Sequence, residues 1–296
     1  MAMSIRTNVS SLNAQRNLYS TQAQLDSSLS RLGSGYRITK AGDDAAGLGI
    51  SVNLQAQIRS YAQASRNAQD GISLVQTAEG SMNEITNILT RLRELAMESA
   101  SSGLDGNDVQ RSYIQTEADQ LTSEIDRIAN GAEYNGTALL NTNATSLTFQ
   151  VGINMDGTDP GDVKANTIAM QTVNITTGDN GLKLTVADAA APEGVRLKLS
   201  TQADAQAALA TIDNALSIIS AERAKFGAVG NRLNNAISNI QSAAENLSAA
   251  NSRIKDVDIA EETSAMTRAQ ILMQAGVSVL AQANQIPQAA LKLLGG

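Results

Sequence analysis

The 296-residue chain contains neither cysteine nor histidine. The first absence excludes disulfides, thiolate catalysis and cysteine-based zinc sites. The second removes Ser-His-Asp triads, the H-E-x-x-H metal site and the usual general base near neutral pH. Only carboxylate chemistry is left, and an enzyme is not expected. The loop DGTDPGD (156–162) has acidic spacing, but it lacks the ligand alternation and the closing Glu of a twelve-residue calcium loop. A surface turn is expected there, with no metal or cofactor. The glycines of AAGLGIS (45–51) follow no predicted strand and complete no phosphate-cradling pattern.

Tryptophan is also missing, phenylalanine occurs twice, and aromatics make up 2% of residues. The 42% hydrophobic share is therefore mostly Ala, Leu, Ile and Val, a palette suited to thin helix–helix seams. A formal charge of −7 argues against a general nucleic-acid binder, which needs a basic surface. The charge is uneven, since residues 1–40 carry Arg6, Arg16, Arg31, Arg37 and Lys40 against Asp26 alone. A solvated face is the ordinary reading of such a bias. No run of eighteen apolar residues exists, so no membrane insertion is predicted. MAMSIRTNVSSLNAQ lacks the apolar core of a cleaved secretory signal. The protein is expected to be cytoplasmic or to leave the cell by a route that reads no such signal.

Proline is scarce as well, with none between residues 1 and 159, and periodicity fills that stretch. Val75, Ala78, Met82, Ile85, Leu89, Leu92 and Ala96 alternate spacings of three and four, which is a coiled-coil seam. The pattern extends back, less regularly, through Ile72, Ala68, Tyr61, Ile58 and Leu54. One helix over 44–100 would be roughly 85 Å long. Asp43 and Asp44 are placed to favour its N-terminal dipole, and SSGLDGND (101–108) ends it. Ile114, Ala118, Leu121, Ile125 and Ile128 predict a second helix that stops near Gly131, before the turn pair Asn135-Gly136. A late helix carries Leu209, Ile212, Leu216, Ile219, Phe226, Val229, Leu233, Ile237, Ile240, Ala244, Leu247 and Ile254. The predicted fold class is mainly α: a long antiparallel coiled-coil or helical-bundle rod of N- and C-terminal arms, with a small β-rich insertion.

Residues 141–199 are that insertion. Thr, Asn, Gly and Val dominate, Pro160 and Pro192 fall here, and SLTFQVG and GLKLTV alternate as short strands do. The rod core is then 41–140 with 200–255, and the terminal arms are 1–40 with 256–296. Leu18, Leu25 and Leu32 repeat at seven with Leu29 at an intermediate position, while Met266, Ala269, Met273, Gly276, Leu280 and Ala283 form a stripe that Pro287 interrupts. Ordering a residue costs about 1–2 kcal/mol of backbone entropy, and apolar burial returns roughly 25 cal/mol per Å². Two such narrow arms alone rarely meet that cost. They are expected to be mobile in the monomer and to order when many copies pack, with Leu18, Leu25, Leu32, Met266, Met273, Leu280, Leu291 and Leu294 as the polymerisation interface.

The segments SIRTNVSSLNAQRNL, RLGSGYRITKAGDDAAGLGIS, RLRELAMESASSG, EIDRIANGAEYNG and ANQIPQAALKLL resemble bacterial flagellin, in the same order and at both ends. The resemblance covers about 140 N-terminal and 90 to 100 C-terminal residues. It implies a structural subunit of the flagellar filament, a helical homopolymer outside the cell, exported unfolded without a cleaved signal. In the family the terminal helices line the inner tube. The implied partners are other copies of the chain, the hook-associated junction and cap proteins, and an export chaperone on roughly residues 255–296. The animal Toll-like receptor that senses flagellin is a further one, and its contact residues match Arg91, Leu95 and Glu117 here. A hook-filament junction protein is the nearest rival. A cytoplasmic helical-hairpin scaffold is the rival from another class, and it would form a closed dimer rather than an open polymer.

Overall fold

The computed structural model describes residues 7–104, 108–142, 145–154, 166–178, 180–184 and 197–294. Five helices carry most of it: α1 (Val9–Ser34), α2 (Ala45–Ser99), α3 (Asp108–Gly131), α4 (Gln202–Lys255) and α5 (Ile259–Leu294). Among the described residues, four strands lie between α3 and α4: β1 (Glu133–Tyr134), β2 (Thr137–Ala138), β3 (Ser146–Gln150) and β4 (Thr167–Gln171). They form two separate two-stranded antiparallel sheets, β1–β2 and β3–β4. The predicted class, mainly helical with a small β insertion, is what is observed.

Local chemistry explains where the helices start and stop. Asn8 caps α1 by accepting the Ser11 N–H, and Gly35, at φ 75°, closes it in the left-handed region open to glycine. α2 starts after Asp44, whose carboxylate accepts the Gly47 N–H at 2.8 Å. Asp43, expected to favour the same dipole, turns back to Thr39 and Lys40 instead. A Cβ at Gly47 would collide with Asp44 and Ile38, so this glycine serves the cap, and the AAGLGIS segment forms about the first two turns of α2. Thr201 and Asp204 cap α4 reciprocally. Asp258 accepts the Ala260 and Glu261 N–H groups at the start of α5.

Contacts divide the chain into two units, residues 59–244 and residues 1–58 with 245–296. In the first, all seven predicted seam residues from Val75 to Ala96 are buried. Their counterparts are Ile114, Ala118 and Ile125 of α3, and Ile212, Ile219, Phe226 and Leu233 of α4, in one apolar cluster. α2 and α4 run antiparallel, as the Arg93–Asp213 and Glu79–Arg223 pairs show. Leu139 and Leu140, just before the insertion, and Ile175, Leu182 and Leu184 within it belong to the same cluster.

The insertion departs from expectation at one predicted strand. SLTFQ is β3, but its partner is TIAMQ, and GLKL (181–184) is not a strand. Lys183 sits at φ 54°, which breaks the extended run, while the Leu182 and Leu184 N–H groups bond to Thr176 and Thr177. The Asn135-Gly136 pair does turn β1 into β2, at φ 50° and 76°. The 156–162 loop, Pro160 and Pro192 lie outside the described residues.

In the second unit, α1 and α5 pack antiparallel along their length. α5 continues through Pro287, against the expected interruption. A proline removes one backbone donor, and here the carbonyl left without it is that of Ala283. The Asn8 side-chain amide donates to that carbonyl at 2.8 Å, which closes the gap.

Candidate functional site

The α1–α5 seam follows from residue size. Leu18 and Leu32 are half-buried and Leu25 buried on α1; Met266, Met273 and Leu280 are half-buried on α5, with Ala269 and Ala283 buried. The predicted interface residues therefore face one another within the single chain. Ser11 and Ser28 are buried beside them, and Gly276 leaves room for Leu18, whose Cδ1 would lie 3.5 Å from a Cβ there. Small residues let the two backbones approach closely. Leu29, expected in the seam, is half exposed because Ser28 takes its place. Leu291 and Leu294 lie on the α5 backbone, with side chains outside the described set.

What the sequence pattern does not reveal is the other side of this hairpin. Val9, Leu12 and Tyr19 form an exposed stripe on α1, with Tyr19 76% accessible. Ile259, Ile271 and Leu272 form another on α5, with Ile271 61% accessible, and Val277 and Val279 extend it. Shallow grooves lie along each stripe. Nothing in the described residues covers these faces, and contiguous exposed apolar stripes are the kind of surface that marks interaction sites.

At the base of the hairpin, the connections α1–α2 and α4–α5 are joined. The Arg37 N–H donates to the Lys255 carbonyl at 2.7 Å and the Val257 N–H to the Gly35 carbonyl at 3.1 Å. The Lys255 ammonium lies 4.2 Å from the Tyr36 ring centroid. Arg31 reaches Glu262 at 3.6 Å and Asp43 at 4.0 Å. The Asp43 carboxylate is held below its ordinary pKa, first by the Lys40 N–H, then by the Thr39 N–H and hydroxyl.

The second candidate surface is on α2 and α3. Arg91 donates to Glu117 at 2.9 Å and to Glu94 at 3.0 Å, and both carboxylates raise its pKa, Glu94 foremost. The two charged members of the predicted receptor set thus meet on an exposed face. Leu95 does not join them: at 2% accessibility it belongs to the core beneath. Tyr113, which sequence reasoning passed over, and Met97, which directly follows the RELA motif, are exposed on the same two helices. Among the described residues no group of three His, Cys, Asp or Glu side chains is placed to hold a metal, and no helix is long and apolar enough to cross a membrane.

The two helical arms match two family models. Residues 5–145 match the bacterial flagellin N-terminal helical region, and residues 209–294 match the bacterial flagellin C-terminal helical region. The chain belongs to the bacterial flagellin family. It is 41% identical to the flagellin of Bacillus subtilis strain 168 over 312 aligned residues, covering 99% of this chain and all of that one. It is 40% identical over 302 to the flagellar filament 33 kDa core protein of Treponema phagedenis, with the same coverage. Among solved structures, a putative flagellar hook-associated protein from Vibrio parahaemolyticus shares the fold. It does so at a TM-score of 0.55 and 14% identity, over 72% of this chain and all of that one. The segments between the two matched regions, residues 146–208, are where the flagellin models do not extend.

Proposed function

We propose that the chain is a structural subunit that polymerises into the flagellar filament through the outer face of its α1–α5 hairpin. One observation carries this reading. Two paired terminal helices spend their small residues on each other and leave Val9, Leu12, Tyr19, Ile259, Ile271 and Leu272 outside. A hairpin with so few fully buried side chains returns little against the entropy of ordering it, so it orders as copies pack. An open polymer follows when the two stripes meet each other heterologously rather than about a twofold axis. The location that goes with this role is outside the cell. The α5 stripe gives an export chaperone a surface on residues 255–296 before assembly, and junction and cap proteins meet the same hairpin at the filament's ends.

Seeded polymerisation followed by negative-stain microscopy tests the reading. The full chain grows long filaments; a chain ending after Ile254, and the full-length double variant Ile271→Ser with Leu272→Ser, remain monomeric. Growth of the double variant at the parent's rate would remove the outer face from the interface. A discrete closed dimer of the parent chain would favour the scaffold reading instead.

The monomer is also recognised by the animal Toll-like receptor that senses flagellin, through the exposed Arg91–Glu117 pair. Leu95, being buried, supports that surface from below. In a reporter-cell assay, Arg91→Ala abolishes the response while its thermal midpoint stays with the parent's. An unchanged response to the variant would sink the assignment.

A further inference from the structure

Two arginines close together on α2 turn to different neighbours. Arg91 meets Glu117 of α3, whereas the Arg93 Nε donates to Asp213 of α4 at 2.8 Å. A guanidinium carries five N–H groups in one plane, so the carboxylate does not use up the Arg93 fork. Its Nη1 donates to the Met97 sulfur at 3.7 Å, one turn further along α2. A thioether is a weak acceptor, so this charged donor is matched to far less than it could hold.

Met97 also stands apart from the other methionines in accessibility. Of those among the described residues, Met82 and Met170 are buried, Met266 and Met273 are half-buried, and Met97 is 56% accessible. The chain has no cysteine, so methionine carries all of its sulfur. Oxidising a core methionine places a polar S=O group in apolar surroundings, at the cost of an unbonded buried acceptor. At Met97 the new oxygen meets solvent and a cationic donor already in place.

We propose that Met97 is a sulfoxidation site for peroxide-class oxidants, and that Arg93 captures the sulfoxide oxygen. The sulfur gives an electron pair to one oxygen of hydrogen peroxide, and the O–O bond breaks as the S–O bond forms. Sulfide is oxidised to sulfoxide and the peroxide is reduced to water, the proton of the transferred hydroxyl passing through solvent to the departing oxygen. Arg93 keeps Asp213 on Nε and gives Nη1 to the sulfoxide, because the two bonds use different N–H groups. The weak N–H···S contact becomes a charge-assisted N–H···O bond. The α2–α4 bridge is thereby retained, and the bundle takes up oxidant at its surface without opening. Sulfoxide reductases can reverse the change.

Timed exposure of the full-length chain to hydrogen peroxide, read by peptide mass spectrometry, tests the site without any substitution. Met97 sulfoxide forms about tenfold or more faster than the sulfoxides of Met82 and Met170, which react only when the bundle opens. Equal rates overturn the assignment. Capture by Arg93 needs a readout that exposure alone does not move. Met97→Gln supplies a neutral side-chain oxygen in place of the sulfoxide, with a helix propensity close to that of methionine. In a double-mutant cycle with Arg93→Ala, followed by thermal melts, Met97→Gln gives a higher midpoint with Arg93 present than the single effects predict. Strict additivity, or a coupling of the opposite sign, overturns the capture.

Discussion

The α2–α3–α4 bundle and the α1–α5 hairpin are both built from three-four periodicity, yet they finish their cores differently. In the bundle, Met82, Ile85, Leu89 and Leu92 meet large partners from α3, α4 and the insertion and are fully buried. In the hairpin, one helix meets one helix, Ser and Ala fill alternate layers, and the seam leucines Leu18, Leu32 and Leu280 stay half-buried. The lesson is that periodicity measures the existence of a seam, while side-chain volume measures whether the chain can complete it alone. The bundle closes its own core; the hairpin leaves apolar side chains exposed on its outer side.

Core truncation separates the two regions most sharply. Leu89→Ala is expected to lower the bundle's stability by about 2–5 kcal/mol, because a fully enclosed cavity cannot collapse. Leu25→Ala should cost the monomer less than about 2 kcal/mol, since small neighbours let the two helices close up. Thermal melts of both variants by circular dichroism check this, and equal losses would erase the contrast.

A smaller effect tests how the hairpin's far end is held. Asn8→Ala removes both the α1 cap and the donor to the Ala283 carbonyl, for an expected loss of about 1 kcal/mol. In a Pro287→Ala background, the helix supplies its own donor to that carbonyl, and part of the loss should vanish. A double-mutant cycle on helicity measures the coupling; strict additivity would show that Asn8 does not compensate for the proline.

The smallest effect is electrostatic. Since the folded Asp43 carboxylate has a lowered pKa, its contribution is complete above the unfolded value and is lost as pH falls through the folded one. Amide protection of Thr39 and Lys40 should therefore drop only in acid, below the ordinary carboxylate range. In Asp43→Asn that acid step should be absent. The same step in the variant would assign it to another group.

Much of the bundle was legible because its signal is redundant. Seven consecutive seam positions from Val75 to Ala96 agree, no proline intervenes, and glycines mark the ends. In the hairpin, the leucine heptad was legible but the small layer was not, since Ser11 and Ser28 do not look apolar. Nor could a pattern of apolar residues say that Tyr19 and Ile271 would face outward. Pro287 misled because its compensating donor lies 279 residues away in the sequence, at Asn8. Arg91 and Glu117, two of the proposed receptor contacts, stand out in the sequence through their motifs, whereas the burial of Leu95 depends on α2's neighbours. β4 escaped notice because TIAMQ carries too short an alternation to stand out from its surroundings.

The joint at the base of the hairpin also sets an order of events for a chain that must fold from an extended state. Arg37 and Ile254, which meet there at 2.8 Å, are 217 residues apart, so bringing them together carries a loop-closure penalty of about 5 kcal/mol if nothing has folded between them. Once α2 and α4 have paired, the effective loop shrinks to a few residues on each side and the penalty falls away. The turn that receives the returning chain needs no such help, since Asp43 binds Thr39 and Lys40 within a single stretch of sequence. Folding should therefore zip from the bundle toward the joint, with the N-terminal turn as a waiting template and the terminal helices as the last to register.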